Sequence, residues 1–479
     1  MKLINTFADF GFALKFLLQK STTSKAKRIL NANVLMLSMY SQSLEAEFKK
    51  RGIVIGDTIK VSSKKGEFRG MLLPRADIGD SNIIVIKLEN GYNIGIRFDE
   101  GVIIEKIEGR SQKDHIESDL KFDNSLPKVA MLYTGGTIGS KLDYVTGGVY
   151  MLTKPEELLY EVPELKEIAN VEVNNLMSIA SEDMTYKEWQ KIAEETAAAL
   201  NKGAHGVVIT HGTDTLHFTS AALSFMLKGL NAPVVLTGAQ RSSDRGSSDA
   251  FMNLICSTRF AAYGNAAEVG VCMHGSSSDS YCDFIRGTKV RKMHTSRRDA
   301  FKPINSDPIA RISYEGNIEY IGDYNVAAGR SNKVTALTKY EPKVALIKAY
   351  PNSDPEIIDF YIGKGYKGII IEGTGLGHTP VSGREEYSWL PHVKRATDAG
   401  VIVGMTSQCL YGRVNSRVYR NLRLLSGAGA IYCEDMLPEV AYVKLGFLIG
   451  NYGIEKAKEM LNKNMVGEIT PRTKFEWYM

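Results

Sequence analysis

Gly206-Val207-Val208-Ile209-Thr210-His211-Gly212-Thr213-Asp214-Thr215 passes without a break from an apolar run into a cluster of hydroxyls around one carboxylate. A short apolar run with no polar alternation reads as a strand buried on both faces, the kind found in parallel sheets. A helical pattern follows over 218–226, and another, 189–200, precedes it. Strands alternating with helices imply a parallel or mixed sheet covered on both sides. In such sheets ligands sit at the carboxyl ends of the strands, where His211–Thr215 falls.

The same arrangement recurs upstream. Val129-Ala130-Met131-Leu132-Tyr133 is a short apolar strand, and Thr134-Gly135-Gly136-Thr137-Ile138-Gly139 follows it directly. Paired glycines let a backbone turn tightly and approach a ligand, leaving Thr137 exposed on the turn. No Gly-Lys-Ser/Thr follows, so this is not a phosphate loop. Val234–Thr237 and Gly270–Met273 extend the strand series. After a polar stretch at 322–342 the alternation restarts with Val344–Ile347, Gly368–Ile371 and Gly400–Val403, and a last helix is expected near Ile454–Met460. The reading is an α/β fold in two parts.

The N-terminal texture differs. Leu44-x-x-x-Phe48 predicts a short helix over 41–51. Runs at 53–61, 68–72, 83–88 and 92–98 then have strand character, and Asn90-Gly91 between two of them is a strong hairpin signal. Several short strands within about 60 positions predict a small antiparallel β-barrel. The polar, charged stretch that follows reads as a linker. The resulting division is an N-terminal extension at 1–38, a barrel domain with its leading helix at 39–108, and a linker at 109–126. An α/β domain at 127–321, a linker at 322–342 and a second α/β domain at 343–479 complete it.

Composition removes several function classes. The chain of 479 residues has 59 basic and 54 acidic side chains, a formal charge of +5. The first 38 positions hold six of the former and one of the latter, so the remainder carries 53 of each and is neutral. A basic surface for nucleic acid therefore has no support outside the tail. The barrel region shows no dense basic-aromatic surface of the kind single-strand binders use. Five scattered cysteines without a Cys-x-x-Cys pair argue against a disulfide framework or zinc ribbon and fit a reducing cytoplasm. No stretch approaches the roughly 20 apolar residues that a membrane span needs.

A third polar cluster, Val290-Arg291-Lys292-Met293-His294-Thr295-Ser296, carries a lysine that alone reads as a surface charge. Together the three clusters resemble the asparaginase family. Thr134–Ile138 and His211–Thr215 match its two signature motifs. Agreement continues through Ser181-Glu182-Asp183-Met184, Gly238-Ala239-Gln240-Arg241 and Lys292 to Phe301-Lys302, spanning about 126–447. The resemblance implies that Thr137 is the nucleophile of an acyl-enzyme and that Thr213, Asp214 and Lys292 form a second polar group assisting proton transfer. It implies substrate contacts from Ser181 and Glu182, for an α-carboxylate and an α-ammonium, and from Gly136 and Gly212. It also implies a loop tyrosine as lid, either Tyr150 or Tyr144. A threonine hydroxyl is a poor nucleophile at neutral pH and needs such a neighbour.

About 90 residues separate Met39 from the first α/β strand, and they include the small barrel. That layout, with Gly373-Thr374-Gly375-Leu376-Gly377-His378, resembles the archaeal-type D-subunit family of glutamyl-tRNA(Gln) amidotransferases. Gly139-Ser140 and the first 38 residues depart from the family pattern. The resemblance implies a glutaminase that supplies ammonia to a partner, the amidotransferase E subunit, which converts Glu-tRNA(Gln) to Gln-tRNA(Gln). It further implies a homodimer within an α2β2 complex, tRNA contacted mainly by the partner, and a cytoplasmic location. No cofactor or metal is expected in this chain, with ATP and Mg used by the partner. The competing readings are a free-standing L-asparaginase/glutaminase and a catalytically silent binding protein; intact Thr137, Thr213, Asp214 and Lys292 argue against the latter.

Overall fold

The computed structural model describes residues 40–73, 80–88, 93–108, 123, 125–136, 138, 140–142, 149–151, 162, 164–242, 247–327 and 333–478. Expectations placed on 1–38, on Asn90-Gly91, on most of 109–126, on Thr137 and Tyr144, and on the Tyr150 side chain lie outside the described residues. Two compact units divide the chain, the first carried by the residues up to 118 and the second by most of the rest.

In the first unit, helix Gln42–Lys50 starts where the Ser41 hydroxyl accepts from the Leu44 amide at 3.3 Å, a side-chain N-cap. Leu44 and Phe48 lie one turn apart and are fully buried. The strands are β1 (Thr58–Ser63), β2 (Gly66–Leu72), β3 (Ile83–Leu88), β4 (Asn93–Arg97) and β5 (Ile103–Glu108), in the antiparallel order β4-β3-β2-β1-β5. Alternation sends Ile59, Val61, Ile84 and Ile86 into one core with the helix. Among the described residues no ladder joins β4 to β5, so the structure establishes the antiparallel sheet and not its closure into a barrel.

The second unit begins with β6 (Lys128–Tyr133), β7 (Ser140–Leu142), β8 (Val149–Met151), β9 (Asn170–Asn175), β10 (Gly206–Thr210), β11 (Leu227–Lys228) and β12 (Val234–Thr237). It continues through β13 (Val269–His274), β14 (Tyr281–Arg286), β15 (Val290–Lys292), β16 (Phe301–Pro303), β17 (Ala310–Ser313), β18 (Ile318–Tyr320) and β19 (Thr335–Ala336). Among the described residues the main sheet runs β18-β17-β14-β13-β12-β10-β6-β9. It is parallel from β9 to β13 and antiparallel beyond, hence mixed. Val207 and Ile209 enter the core under helices Tyr186–Asn201 and Leu216–Met226, while Val208 enters the opposite core under Ala250–Tyr263. Burial on both faces explains why this strand reads as a solid apolar run.

A second parallel sheet, β20-β21-β22-β23, is built from Val344–Lys348, Gly368–Gly373, Ile402–Ser407 and Ile431–Tyr432. The final helical stretch runs Pro438–Met460 and is divided by non-helical geometry at Gly453, so the helix expected near Ile454–Met460 is present and follows a longer helical segment that the sequence pattern does not reveal. Its buried residues share one core with Leu216–Met226, so this helix is the layer common to both sheets. All five cysteines are free thiols. Among the described residues no helix is long and apolar enough to cross a membrane.

Candidate active site

Strands β6 and β10 are parallel neighbours with Tyr133 opposite Thr210, so the polar turns that follow them leave the same edge of the sheet side by side. The Thr134 hydroxyl donates to the Thr210 carbonyl at 2.7 Å, and the His211 amide to the Thr237 carbonyl at 2.9 Å. Gly135 and Gly136 have φ of 109° and 87°, a region L side chains rarely adopt. A Cβ on Gly136 would lie 2.5 Å from the Gly212 nitrogen, and one on Gly212 would lie 2.7 Å from the Ser181 Cβ. The three predicted backbone segments, 134–136, 211–215 and 181–183, are therefore in direct contact, and only glycine permits it. The Thr215 hydroxyl fastens this junction by donating to the Ser181 carbonyl at 2.6 Å.

Lys292 arrives from a different element, the last residue of the short ribbon β15. Its ammonium donates to Thr213 Oγ1 at 2.9 Å and pairs with Asp214 Oδ1 at 2.7 Å. The lysine side chain is 11% exposed and the aspartate 66%, so the pair has one side open to water. The structure thus gathers Gly136, Ser181, Gly212, Thr213, Asp214 and Lys292; Glu182 follows buried Ser181 on the same 3-10 turn with its side chain exposed. Thr137 lies immediately after this cluster in sequence and outside the described residues.

Sequence reasoning overlooked what lies beneath. His211 is fully buried, and Nδ1 lies 2.6 Å from the Gly212 carbonyl, which can only accept, so Nδ1 carries the proton. Bare Nε2 then accepts from the Thr219 hydroxyl at 2.8 Å, whose oxygen accepts from the Trp189 indole at 3.0 Å. This chain locks the peptide that presents Gly212 and Thr213. His211 opens the second signature motif, and that is its only signal in the sequence. Burial pushes the His211 imidazole down to about 4 and the neighbouring His217 down to about 3, from an ordinary 6.5.

Both histidines fold neutral, so unfolding takes up protons wherever the free imidazole titrates and the buried one does not. Their folded pKa values are depressed, so this stability is complete above pH 6.5 and is lost as pH falls toward 4. Each histidine adds a slope of about 1.4 kcal/mol per pH unit in that window. Urea unfolding at pH 7, 6 and 5 should show the decline, and His217→Gln should take up about one proton fewer on unfolding. An unchanged proton uptake in that variant would contradict the assignment.

Comparison with known proteins sets these residues in context. Residues 128–324 match the family described as Asparaginase, N-terminal; residues 343–461 match the Glutaminase/Asparaginase C-terminal domain; residues 53–107 match the GatD N-terminal domain. A relative from Pyrococcus furiosus, the D subunit of glutamyl-tRNA(Gln) amidotransferase, is 52% identical over 439 residues, covering 90% of this chain and 98% of its own. The protein of the same name from Methanopyrus kandleri is 45% identical over 448 residues, covering 91% and 95%. Among solved structures, the thermostable L-asparaginase from Thermococcus kodakarensis aligns with a TM-score of 0.64 at 30% identity, covering 72% of this chain and 99% of the asparaginase.

Proposed function

Because the chain belongs to the asparaginase family and, within it, to the D subunits of glutamyl-tRNA(Gln) amidotransferase, we propose that it hydrolyses L-glutamine and delivers the ammonia to a partner protein. The observation that carries this reading is one ammonium, Lys292, bonded at once to a hydroxyl and a carboxylate beside a junction of glycine backbones.

In the proposed reaction the Thr137 hydroxyl adds to the amide carbonyl carbon. Backbone N–H groups of the glycine turns meet the developing oxyanion, each such donor contributing about 3 kcal/mol to the transition state. Lys292 donates to Thr213, which leaves the Thr213 proton free to pass to the departing nitrogen, and the proton that Thr137 releases replaces it on Thr213. Asp214 holds the ammonium in place through this transfer. Ammonia leaves, water adds to the acyl-enzyme along the same relay, and the free acid departs. Ser181 and Glu182 hold the substrate's α-carboxylate and α-ammonium, with Tyr150 or Tyr144 as lid.

The same reading assigns the amidotransferase E subunit as partner, an α2β2 assembly built on an asparaginase-like homodimer, and a cytoplasmic setting. Phosphorylation of Glu-tRNA(Gln), with ATP and Mg, falls to the partner. The N-terminal domain and the linker couple the two proteins. Ammonia release from glutamine and asparagine should be measured on the chain alone, then with the E subunit, ATP and Glu-tRNA(Gln). Weak release alone and strong release in the full mixture is expected. Brisk turnover indifferent to tRNA and partner would make the protein a free-standing amidohydrolase.

A further inference from the structure

Arg291 and Lys292 are neighbours on β15, so their side chains leave opposite faces of the strand. Lys292 points to Thr213 and Asp214. Arg291 reaches the other way, its Nη1 donating to Glu439 Oε2 at 3.1 Å. Glu439 belongs to the first turn of helix Pro438–Met460, in the C-terminal part of the fold, and is buried. We propose that Glu439 is a positioning residue for Lys292, holding the catalytic strand through Arg291 so that the C-terminal part of the fold takes part in the chemistry. The inference rests on the amidohydrolase reading above.

Three observations favour positioning over mere bracing. First, among the described residues β15 pairs only with β16, over three residues, and neither strand joins the large sheet. A ribbon that short owes its placement to side-chain anchors, and buried Val290, the Arg291–Glu439 pair and the Lys292–Asp214 pair supply them. Secondly, Glu439 is itself held firmly. Helix Leu216–Met226, which starts as the His211–Thr215 motif ends, packs along its helix through Phe218 on Tyr442 at 6.4 Å and Phe225 on Phe447 at 5.9 Å. Thirdly, the carboxylate is not placed for stability. Among the described residues its Oε1 has no hydrogen-bond partner; it lies 3.8 Å from Nε2 of neutral His217, whose Nδ1 also lacks one. Burial pushes the Glu439 carboxyl up and the Arg291 guanidinium opposes that. An apolar pair would serve packing at least as well. A buried carboxylate with one oxygen unmatched is kept here because the other one aims Arg291.

The full-length chain with its partner protein serves for the test. Glu439→Gln should lower kcat for ammonia release by about tenfold with KM nearly unchanged, since a small misplacement of a catalytic group costs up to about 10²-fold in rate. Arg291→Lys, which keeps the cation, should retain most of the rate. The double variant Arg291→Met/Glu439→Leu buries no unpaired charge, so it should regain the unfolding midpoint without regaining kcat. Wild-type kcat in Glu439→Gln, or a kcat that recovers with stability in the double variant, would overturn the proposal and leave the pair a brace. Thr137→Ala and Lys292→Met are run alongside. Full activity in those two would overturn the amidohydrolase reading and this inference together, whereas their inactivity with a normal Glu439→Gln overturns this inference alone.

Discussion

Lys292→Met should lower ammonia release about 10³-fold, the scale expected when a group that moves a proton or supports an oxyanion is removed. Its stability should stay close to that of the unaltered chain. Methionine fills the space of the lysine stem, so packing around that stem persists. Asp214, left without its cation, is 66% exposed and regains hydration at little cost. Thr213 loses a donor but keeps its place, because it is held from behind by the His211–Thr219–Trp189 chain. The rate should therefore collapse while the unfolding midpoint does not. Thr213→Ala should cost a similar factor, and the double variant little more than either alone, because groups that act as one relay are not additive. Steady-state release from glutamine in the full mixture, with calorimetry on the same preparations, decides it. A Lys292→Met protein within about tenfold of the normal rate would remove this lysine from the chemistry.

Legibility in the sequence varies from element to element, for physical reasons. Both signature turns are legible as site candidates because parallel neighbours end at one edge of a sheet and polar residues follow each strand directly. Lys292 is different. It bonds Thr213 from 79 positions away, on a ribbon too short to show a period, and only the family resemblance singles it out. β9, β14, β17 and β18 also escape. β9 reads Asn-Val-Glu-Val-Asn-Asn and is half exposed at the sheet edge, and the other three belong to the antiparallel extension, not to the βαβ rhythm. The helical segment before Gly453 is missed because Gly446, Gly450 and Gly453 interrupt its apolar pattern. Two of those glycines exist for a distant partner: a Cβ on Gly446 would lie 2.3 Å from the Tyr340 ring, and one on Gly450 would lie 2.6 Å from the Tyr340 backbone. Tyr340 itself sits in a stretch that reads as linker, yet it stacks on Tyr186 and meets the edge of Trp189. Long-range packing of this kind leaves no local signature.

The largest loss of stability is expected from Lys444→Met. Lys444 and Glu468 are both fully buried, with Nζ and Oε1 2.6 Å apart. Burial pushes the Lys444 ammonium down, and Glu468 opposes it. Glu468 also accepts the amide of Met465 at 3.0 Å and that of Val466 at 2.8 Å, so one carboxylate both closes the turn after the last helix and neutralises the lysine within it. Removing the cation leaves a buried carboxylate with only backbone amides to satisfy it, a change that typically costs about 3–5 kcal/mol. Lys444→Met/Glu468→Gln should recover most of this. The glutamine carbonyl can still accept from the turn amides, and no unpaired charge remains in the core. Urea unfolding followed by tryptophan fluorescence measures all three proteins, and a loss below about 1 kcal/mol in the single variant would mean that water reaches the pair. The same region holds a second buried pair, Lys289 with Asp435 at 2.7 Å, where Asp435 also accepts the Thr470 amide at 3.0 Å. Lys289 immediately precedes β15, so this pair fixes the root of the strand whose tip is Lys292. Asp435→Asn should lower stability as well, because it leaves the buried Lys289 ammonium without its carboxylate. It should also lower kcat, whereas Lys444→Met, whose lost bonds run to Lys463 and Glu468 and not to β15, should cost stability alone.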